Sequence, residues 1–266
     1  MQNIGLVFSG GGGKGSYQIG VWKAICKLGL DKRIGDIAGT SIGALNAFGL
    51  VTSKNNLIED LWLNNKTEDF LSKPFMDLLA DCEGLTSEEL YDELGKVVKK
   101  YGYAPRELFL KMIEEEFNID CLKTFGKCVF AGVYNETDLK MEYMDMAGDK
   151  DKNLVCKILC ASTALPNVYS PVEINGKSYI DGGVDDNIPV KPLYNKGIKE
   201  IIVVHFHHSE IEKLKCFDDA KIISIIPSYP EENLKNGTLD FSPERAKIRI
   251  EAGYKDGLKI LSREYS

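Results

Sequence analysis

The sequence predicts an α/β fold in which the central strands run parallel. Two short apolar segments, residues 4–8 and 34–39, each lead through a glycine-containing turn into a stretch whose apolar residues recur at helical spacing. Two further apolar segments, residues 200–206 and 222–226, follow later in the chain. Short, continuous apolar runs are typical of parallel strands that are covered on both faces. The strand–helix units therefore indicate a parallel sheet, since parallel strands need a crossover connection.

After the second predicted strand the pattern becomes helical. Residues 42–51 are apolar nearly all round a predicted helix, which therefore has to be buried. Helical spacing recurs at residues 57–63, 87–100 and 106–117, where strand patterns are absent and charged residues are frequent. We expect a helical insertion at about 53–125 within a single domain, because no linker rich in Pro, Gly or Ser divides the 266 residues.

The second half of the chain returns to alternating elements. The patterns predict strands at residues 127–134 and 141–144, a helix at 154–160 and a hairpin at 172–180. The hairpin turn is Asn175-Gly176, a dipeptide favoured in two-residue turns. Ser242, followed by Pro243 at the first helical position, predicts the start of a closing helix.

The composition excludes some classes of partner and site. The net charge of −7 argues against nucleic-acid binding, which needs a dense positive surface. The seven cysteines contain no CxxC motif and, with the three histidines, show no metal-ligand spacing, so reduced thiols are expected. The start Met1-Gln2-Asn3 lacks the basic region of a signal peptide, and no apolar stretch approaches the roughly 18 residues of a membrane span. We expect a cytoplasmic protein whose contact with membranes is at most peripheral.

The glycine-rich turn at residues 9–15 allows three functional interpretations. A Walker A loop is excluded, because Lys14 is followed by Gly15 rather than by Ser or Thr. A dinucleotide fingerprint is matched in spacing by Gly10, Gly12 and Gly15, with Asp31 or Asp36 at the distance of a ribose ligand. The third interpretation is an oxyanion hole, in which consecutive N–H groups of the turn stabilise a tetrahedral acyl intermediate.

A GxSxG pentapeptide one strand–helix unit later favours the oxyanion hole. Gly39-Thr40-Ser41-Ile42-Gly43 follows an apolar strand and opens an apolar helix, which is the context of a nucleophile elbow. In that elbow a sharp turn exposes the serine hydroxyl, and the flanking glycines let the backbone close. Ser41 is therefore the predicted nucleophile.

The base that activates Ser41 has two candidates. The order Ser41, Asp181, His205 matches an α/β-hydrolase triad, but the histidines, which include His207, cluster at the end of one predicted strand. The carboxylate of Asp181, at a strand end before Gly182, is the alternative base. We favour the carboxylate and keep the triad as the second hypothesis.

Three motifs in this order resemble those of the patatin-like phospholipases, namely the glycine loop at residues 10–15, GxSxG at 39–43 and DGG at 181–183. Residues 161–166 with Tyr169 and Pro171-Val172, and Asn187-Ile188-Pro189, are similar to further segments of that family. The residues that support these motifs are Gly10, Lys14, Gly15, Gly39, Gly43, Gly182 and Gly183, and the sequence leaves open whether Lys14 orients the loop or touches the substrate. The resemblance spans most of the chain.

The resemblance implies a three-layer α/β/α fold, with a mainly parallel sheet, as a single patatin-like domain over residues 1–266. It further implies a Ser41–Asp181 dyad without histidine, and an oxyanion loop formed by Gly11, Gly12 and Gly13. Lys14 takes the position where the family has Arg or Lys. The implied reaction cleaves a lipid ester, of the phospholipase A or lysophospholipase type, through an acyl-enzyme, and it needs no metal or cofactor.

Several alternatives stay open at this point. A general carboxylesterase would use the same motifs, a dinucleotide-dependent oxidoreductase would use only the glycine loop, and a lipid-binding module would keep the fold without reacting. The insertion is expected to cover the acyl cleft. Its apolar residues Phe70, Phe75, Met76, Leu78 and Leu79 could line that cleft, although packing in the core is the commoner role of such residues.

Overall fold

A computed structural model describes residues 3–53 and 57–265 and contains an eight-stranded, mainly parallel sheet. Met1, Gln2, Ser266 and residues 54–56 of the expected insertion lie outside the described part. The strands are β1 (Ile4–Phe8), β2 (Ile34–Thr40), β3 (Val129–Asn135), β4 (Lys140–Asp145), β5 (Val172–Ile174), β6 (Lys177–Asp181), β7 (Glu200–Val204) and β8 (Lys221–Ile225). Their order is β5-β6-β3-β2-β1-β7-β8, with β4 also paired to β3.

Five strands form the parallel part of the sheet: β3, β2, β1, β7 and β8. The strands β4 and β6 both run antiparallel to β3, and β5 closes the hairpin with β6. Every residue of β1 and β2 is buried, as expected for central strands covered on both faces.

One edge of β3 is shared by two strands, and this arrangement brings distant parts of the chain together. The strand β2 pairs with β3 as far as Thr40, opposite Gly132, and β6 continues from Asp181, opposite Val133. The other edge of β3 is occupied by β4 over residues 130–135. The ends of β2 and β6 therefore meet beside β3.

The helices cover the sheet and connect its strands. They are α1 (Ser16–Lys27), α2 (Ile42–Thr52), α3 (Leu57–Asn64), α4 (Lys73–Asp81), α5 (Ser87–Tyr101), α6 (Glu107–Glu116), α7 (Cys121–Thr124), α8 (Lys152–Ser162), α9 (Lys191–Asn195), α10 (Ile211–Leu214) and α11 (Pro243–Glu264). The strands, long helices and hairpin predicted from the sequence are found within a few residues of their predicted limits. The helices α4, α7, α9 and α10 had not been predicted.

The segment expected to be an insertion contains the helices α3 to α7, and none of its described residues lies in a strand. Part of it packs on the main core through Ile58, Trp62 and Ile113. Another part forms a separate apolar cluster around Phe75 and Leu94, which Val168 and Leu239 from the second half of the chain complete. The segment is thus anchored to the main core, and residues of its helices α3 and α6 line a cavity together with the residues that follow the carboxyl ends of β1 and β2.

Candidate active site

Ser41 lies at the sharp turn between β2 and α2 in a backbone conformation that a serine rarely adopts. Its φ is 55° and its ψ is −128°. The turn closes tightly, since a Cβ atom at Gly39 would lie 2.2 Å from the main chain of Gly43, and one at Gly43 would lie 2.3 Å from the Phe8 carbonyl oxygen. Both glycines are therefore required by close approach. Such strained conformations typically cost about 1–3 kcal/mol and cluster at functional sites.

Asp181 ends β6 with its side chain buried beside Ser41. It is 3% exposed, and its Oδ1 accepts a hydrogen bond from the Gly183 N–H at 2.8 Å. Burial raises the pKa of Asp181 to about 6, while a hydrogen bond with the Ser41 side chain and the Gly183 N–H oppose that rise. The pKa of this carboxyl is thus closer to neutral pH than that of an ordinary aspartate, which is a property that a general base needs.

The glycine loop between β1 and α1 lies next to Ser41. The N–H of Gly10 donates to the carbonyl of Asn187 at 3.1 Å, and the N–H of Lys14 donates to the carbonyl of Gly11 at 3.2 Å. Among the described residues, the N–H groups of Gly11, Gly12 and Gly13 have no such main-chain acceptor. Gly12 has a φ of 55°, and a Cβ atom there would lie 1.9 Å from the carbonyl oxygen of Thr238. The residue has to be glycine for both reasons.

The loop residues do not all face the same side. Gly10, Gly11 and Gly12 line the cavity above Ser41. Gly13 packs behind the loop, where a Cβ atom would lie 1.9 Å from the carbonyl oxygen of Asp240. The carbonyl of Gly13 accepts hydrogen bonds from Ser16 Oγ at 3.0 Å and from Arg249 Nη1 at 3.1 Å.

Lys14 is buried at 5% exposure and is held by a histidine rather than by a carboxylate. Its Nζ lies 3.2 Å from His207 Nε2, and His207 Nδ1 lies 3.0 Å from the carboxylate of Glu231. Burial lowers the pKa of Lys14, and the charge of Glu232 opposes this effect. The ammonium group also lies over the Phe206 ring, 5.3 Å from its centroid.

A cavity of about 470 Å³ connects these groups. Its lining is apolar on the side of the helical segment and polar near the glycine loop. The apolar lining includes Ile42, Leu45, Ile58, Leu61, Trp62, Phe70, Phe109, Met112, Phe117, Leu165 and Phe241. The polar lining includes Lys14, Asp181, Asn187, His207, Glu210 and Lys213. Of the five residues singled out in the insertion, Phe70 lines the cavity, whereas Phe75, Met76, Leu78 and Leu79 belong to the neighbouring apolar cluster.

His205, the base of the triad hypothesis, lies in the core just beyond the end of β7. It is fully buried, its Nε2 contacts the hydroxyl of Ser224, and its Nδ1 lies 3.4 Å from Glu210 Oε2. His207 faces the cavity but contacts Lys14. Neither ring has a hydrogen bond to Ser41 or Asp181 among the described residues.

The dinucleotide interpretation loses both candidate ribose ligands. Asp31 lies in the turn that immediately precedes the amino end of β2. Asp36 lies near the amino end of β2, where its Oδ1 accepts the N–H of Cys128 at 2.8 Å and its Oδ2 lies 3.3 Å from Lys196 Nζ. The glycine loop follows the carboxyl end of β1, which lies at the opposite end of the parallel strands. Within residues 3–53 and 57–265, no cluster of three or more His, Cys, Asp or Glu side chains is arranged to hold a metal ion, and no helix is long and apolar enough to cross a membrane.

Three site residues had no assigned role in the sequence analysis. Ser162 contacts the main chain of Ser41, Arg249 holds Gly13, and Arg106 binds the end of α8. Ser162 falls within the segment that resembles the family, which was the one available signal. Arg106 and Arg249 are ordinary charged residues of helical segments, so their sequence neighbourhood gave no indication.

Comparisons with known proteins identify the family of the chain. A family model described as patatin-like phospholipase matches residues 6–194. The chain is 29% identical over 203 residues to lysophospholipase NTE1 of Cryptococcus neoformans and 29% identical over 202 residues to lysophospholipase NTE1 of Candida albicans. Each match covers 76% of this chain, but only 11% and 13% of the respective relative, so the chain spans a small part of their length.

A solved structure supports the fold. The crystal structure of VipD from Legionella pneumophila superposes with a TM-score of 0.55 at 16% identity, covering 99% of this chain and 67% of that chain. The predicted α/β fold, with helices on both sides of a mainly parallel sheet, is confirmed. The family predicted from the three motifs is also confirmed, since the family model covers more than half of the sequence. The chain belongs to the patatin-like phospholipase family, a class of lipid ester hydrolases.

Proposed function

We propose that the chain is a serine acyl hydrolase that cleaves lipid carboxylic esters with a Ser41–Asp181 dyad. The observation that carries the proposal is the junction on β3, where the ends of β2 and β6 meet and place Asp181 against the strained serine. The hydrogen bond between the two side chains, which lowers the pKa of Asp181 against the effect of burial, supports the same pairing.

The proposed reaction has two steps. Asp181 accepts the hydroxyl proton of Ser41 as Ser41 Oγ attacks the ester carbonyl, and it returns the proton to the departing alcohol. Water then attacks the acyl-enzyme while Asp181 accepts its proton, and Asp181 returns this proton to Ser41 Oγ as the carboxylic acid leaves. In both steps negative charge develops on the carbonyl oxygen. We assign its stabilisation to the amino end of α2 and to the N–H groups of Gly11 and Gly12, which have no main-chain acceptor among the described residues. Gly13 is the third residue of the proposed loop and supports it from behind.

We propose a lysophospholipid or phospholipid as the substrate. The cavity offers an apolar lining for one acyl chain and a polar side with the cations Lys14 and Lys213 for an anionic head group. Its volume of about 470 Å³ lies within the usual range of small-ligand sites. The names of the fungal relatives agree with this substrate class.

Contact with a lipid aggregate is a second part of the proposal. Tyr101, Tyr103 and Leu108 are 59%, 48% and 58% exposed, and they flank Arg106 and Phe109, which line the cavity. Exposed aromatic and aliphatic side chains close in sequence to cavity residues suit the interface of a membrane. A Tyr101→Ser, Tyr103→Ser, Leu108→Ser variant should therefore sediment less with phosphatidylcholine vesicles while hydrolysing a soluble ester at the wild-type rate.

The dyad is tested by Ser41→Ala and Asp181→Asn. Each folded variant should lose cleavage of p-nitrophenyl butyrate and of lysophosphatidylcholine, and Ser41 should be the residue labelled by a fluorophosphonate in the wild type. A near wild-type rate in either folded variant would contradict the dyad. Circular dichroism and thermal unfolding serve as the folding control.

The alternative functions give different results in the same assays. A general carboxylesterase would cleave short soluble esters and leave lysophospholipids intact. A lipid-binding module would bind lysophospholipid without fluorophosphonate labelling. An NAD-dependent oxidoreductase would show a thermal shift with NAD and no dependence on Ser41.

A further inference from the structure

We propose that Ser162, at the carboxyl end of α8, is a positioning residue for the nucleophile. Its hydroxyl connects the N–H of Ser41 to the carbonyl of Gly132 on β3. The inference rests on the proposed role of Ser41 and Asp181, and it adds a residue that acts through Ser41 without contacting the substrate.

The two hydrogen bonds of Ser162 have a fixed direction. Its Oγ accepts the Ser41 N–H at 2.9 Å and donates to the Gly132 carbonyl oxygen at 2.7 Å. An N–H can only donate and a carbonyl oxygen can only accept, so the hydroxyl proton of Ser162 must point to the carbonyl oxygen of Gly132. Ser162 is fully buried, which excludes water as a replacement partner at its surface. The hydroxyl therefore acts as a defined clamp between the two main chains.

The clamp acts at the point where the nucleophile is strained. The carbonyl of Ser41 starts α2 by accepting the N–H groups of Ala44 and Leu45, but its own N–H belongs to neither the helix nor the sheet. The Ser162 hydroxyl is its acceptor. Without that acceptor, rotation of the peptide before Ser41 would relieve a buried unpaired N–H. Such a rotation would also move Ser41 Oγ away from Asp181.

The hydrogen bonds of Ser162 differ from the usual ones of a helical serine, as a comparison with the neighbouring Thr163 shows. Serine and threonine in helices commonly bond to the carbonyl four residues earlier. Thr163 does so, with Oγ1 at 2.8 Å from the Leu159 carbonyl oxygen. Ser162 instead directs its hydroxyl out of α8 to the elbow and to β3.

The same helix end also holds the proposed base. The carbonyl of Ala164, two residues after Ser162, accepts the Asp181 N–H at 3.1 Å. The end is fixed from the other side by Arg106, whose guanidinium donates to the carbonyls of Cys160 at 2.6 Å and Thr163 at 3.3 Å. Residues 162–164 thus bind the main chains of both reactive residues and set the distance between them.

The test measures the rate at which a small fluorophosphonate labels Ser41. Ser162→Ala and Ser162→Cys both remove or weaken the hydroxyl contact, and Cys keeps the shape of the side chain in case the Ala variant fails to fold. We expect labelling rate and kcat for p-nitrophenyl butyrate to fall by about 10- to 100-fold, because small misplacements of reacting groups have effects of this size. KM should change by less than about twofold, since the cavity lining is intact.

The matched control is Thr52→Val at the other end of α2. Thr52 is 1% exposed and its Oγ1 donates to the Phe48 carbonyl oxygen at 2.8 Å, so Val also removes a buried hydroxyl bonded to main chain. This control should keep the wild-type labelling rate, because it removes a buried hydroxyl of α2 without releasing the N–H of Ser41. Equal losses of labelling in both variants, or a wild-type rate in folded Ser162→Cys, would overturn the inference. Failure to label the wild type would instead contradict the proposed function.

Discussion

Arg249 of the last helix, α11, donates a hydrogen bond to the carbonyl of Gly13 at 3.1 Å and so holds the first turn of the chain's glycine loop. The guanidinium is 1% exposed and also binds the carbonyls of Asn236 and Asp240 and the carboxylate of Glu232, at distances of 2.7 to 3.2 Å. All its donors are therefore used inside the protein. The glycine loop, which lines the proposed oxyanion site, is therefore held by an ion-paired residue that lies 236 positions later in the sequence.

Arg249→Met should destabilise the protein strongly, because it leaves the buried carboxylate of Glu232 without its main partner. Breaking a buried pair in this way typically costs about 3–5 kcal/mol. The control is Arg245→Met. Arg245 contacts the same carboxylate from a side chain that is 42% exposed, so its replacement should lower the free energy of unfolding by at most about 1 kcal/mol. Denaturant unfolding measures both variants. Equal losses would show that Arg249 has no special part in holding the loop.

The pH dependence of the reaction should report the titration of Asp181. Burial raises the pKa of this carboxyl to about 6, and only the deprotonated form accepts the proton of Ser41. The value of kcat/KM for a soluble ester should therefore rise with pH through about 6 and then stay level. An inflection near about 4, the ordinary value of an aspartate, would contradict the buried base.

The stability of Asp181→Asn should show the cost of keeping that carboxylate buried. The carboxyl has a pKa of about 6 in the folded protein and an ordinary value of 3.8, so the folded state binds the proton more tightly than the unfolded state. Wild type therefore loses stability relative to the Asn variant as the pH rises from about 4 to above 6. At about pH 8 the variant should be more stable by up to about 3 kcal/mol, since one pKa unit corresponds to about 1.4 kcal/mol. A difference that is constant from about pH 4 to pH 8 would contradict the raised pKa.

The sequence was sufficient to predict the parallel strands, the hairpin and the motifs, because each depends on local periodicity or on glycine at a turn. The short helices α9 and α10, of five and four residues, carry too little periodicity to be recognised. The contacts that support the site could not be predicted either, since Ser162 and Ser41 are 121 residues apart in the sequence and Arg249 and Gly13 are 236 apart. Such contacts depend on how strands pair, and the sharing of one β3 edge by β2 and β6 is not encoded in any local pattern.

The two histidines of the triad hypothesis should be dispensable for the reaction. His205 is buried against Ser224 and Glu210, and His207 contacts Lys14 and Glu231. Among the described residues, neither imidazole is therefore hydrogen-bonded to Ser41 as a general base would be. Folded His205→Ala and His207→Ala variants should retain kcat within about tenfold of the wild type, with the inflection near pH 6 unchanged. A loss comparable to that of Ser41→Ala would favour the triad.

Met112 of α6 should limit the acyl chain if the helical segment covers the cleft. Its side chain lines the cavity, and Met112→Trp would fill part of the apolar lining. The ratio of kcat/KM for dodecanoyl and acetyl esters should fall by about tenfold, which corresponds to the lost burial of about two methylene groups. Glu115→Trp is the matched control, because Glu115 lies on the same helix with a side chain that is 61% exposed and does not line the cavity. A fall of the same size in the control, or an unchanged ratio in folded Met112→Trp, would show that the acyl chain does not run beneath α6.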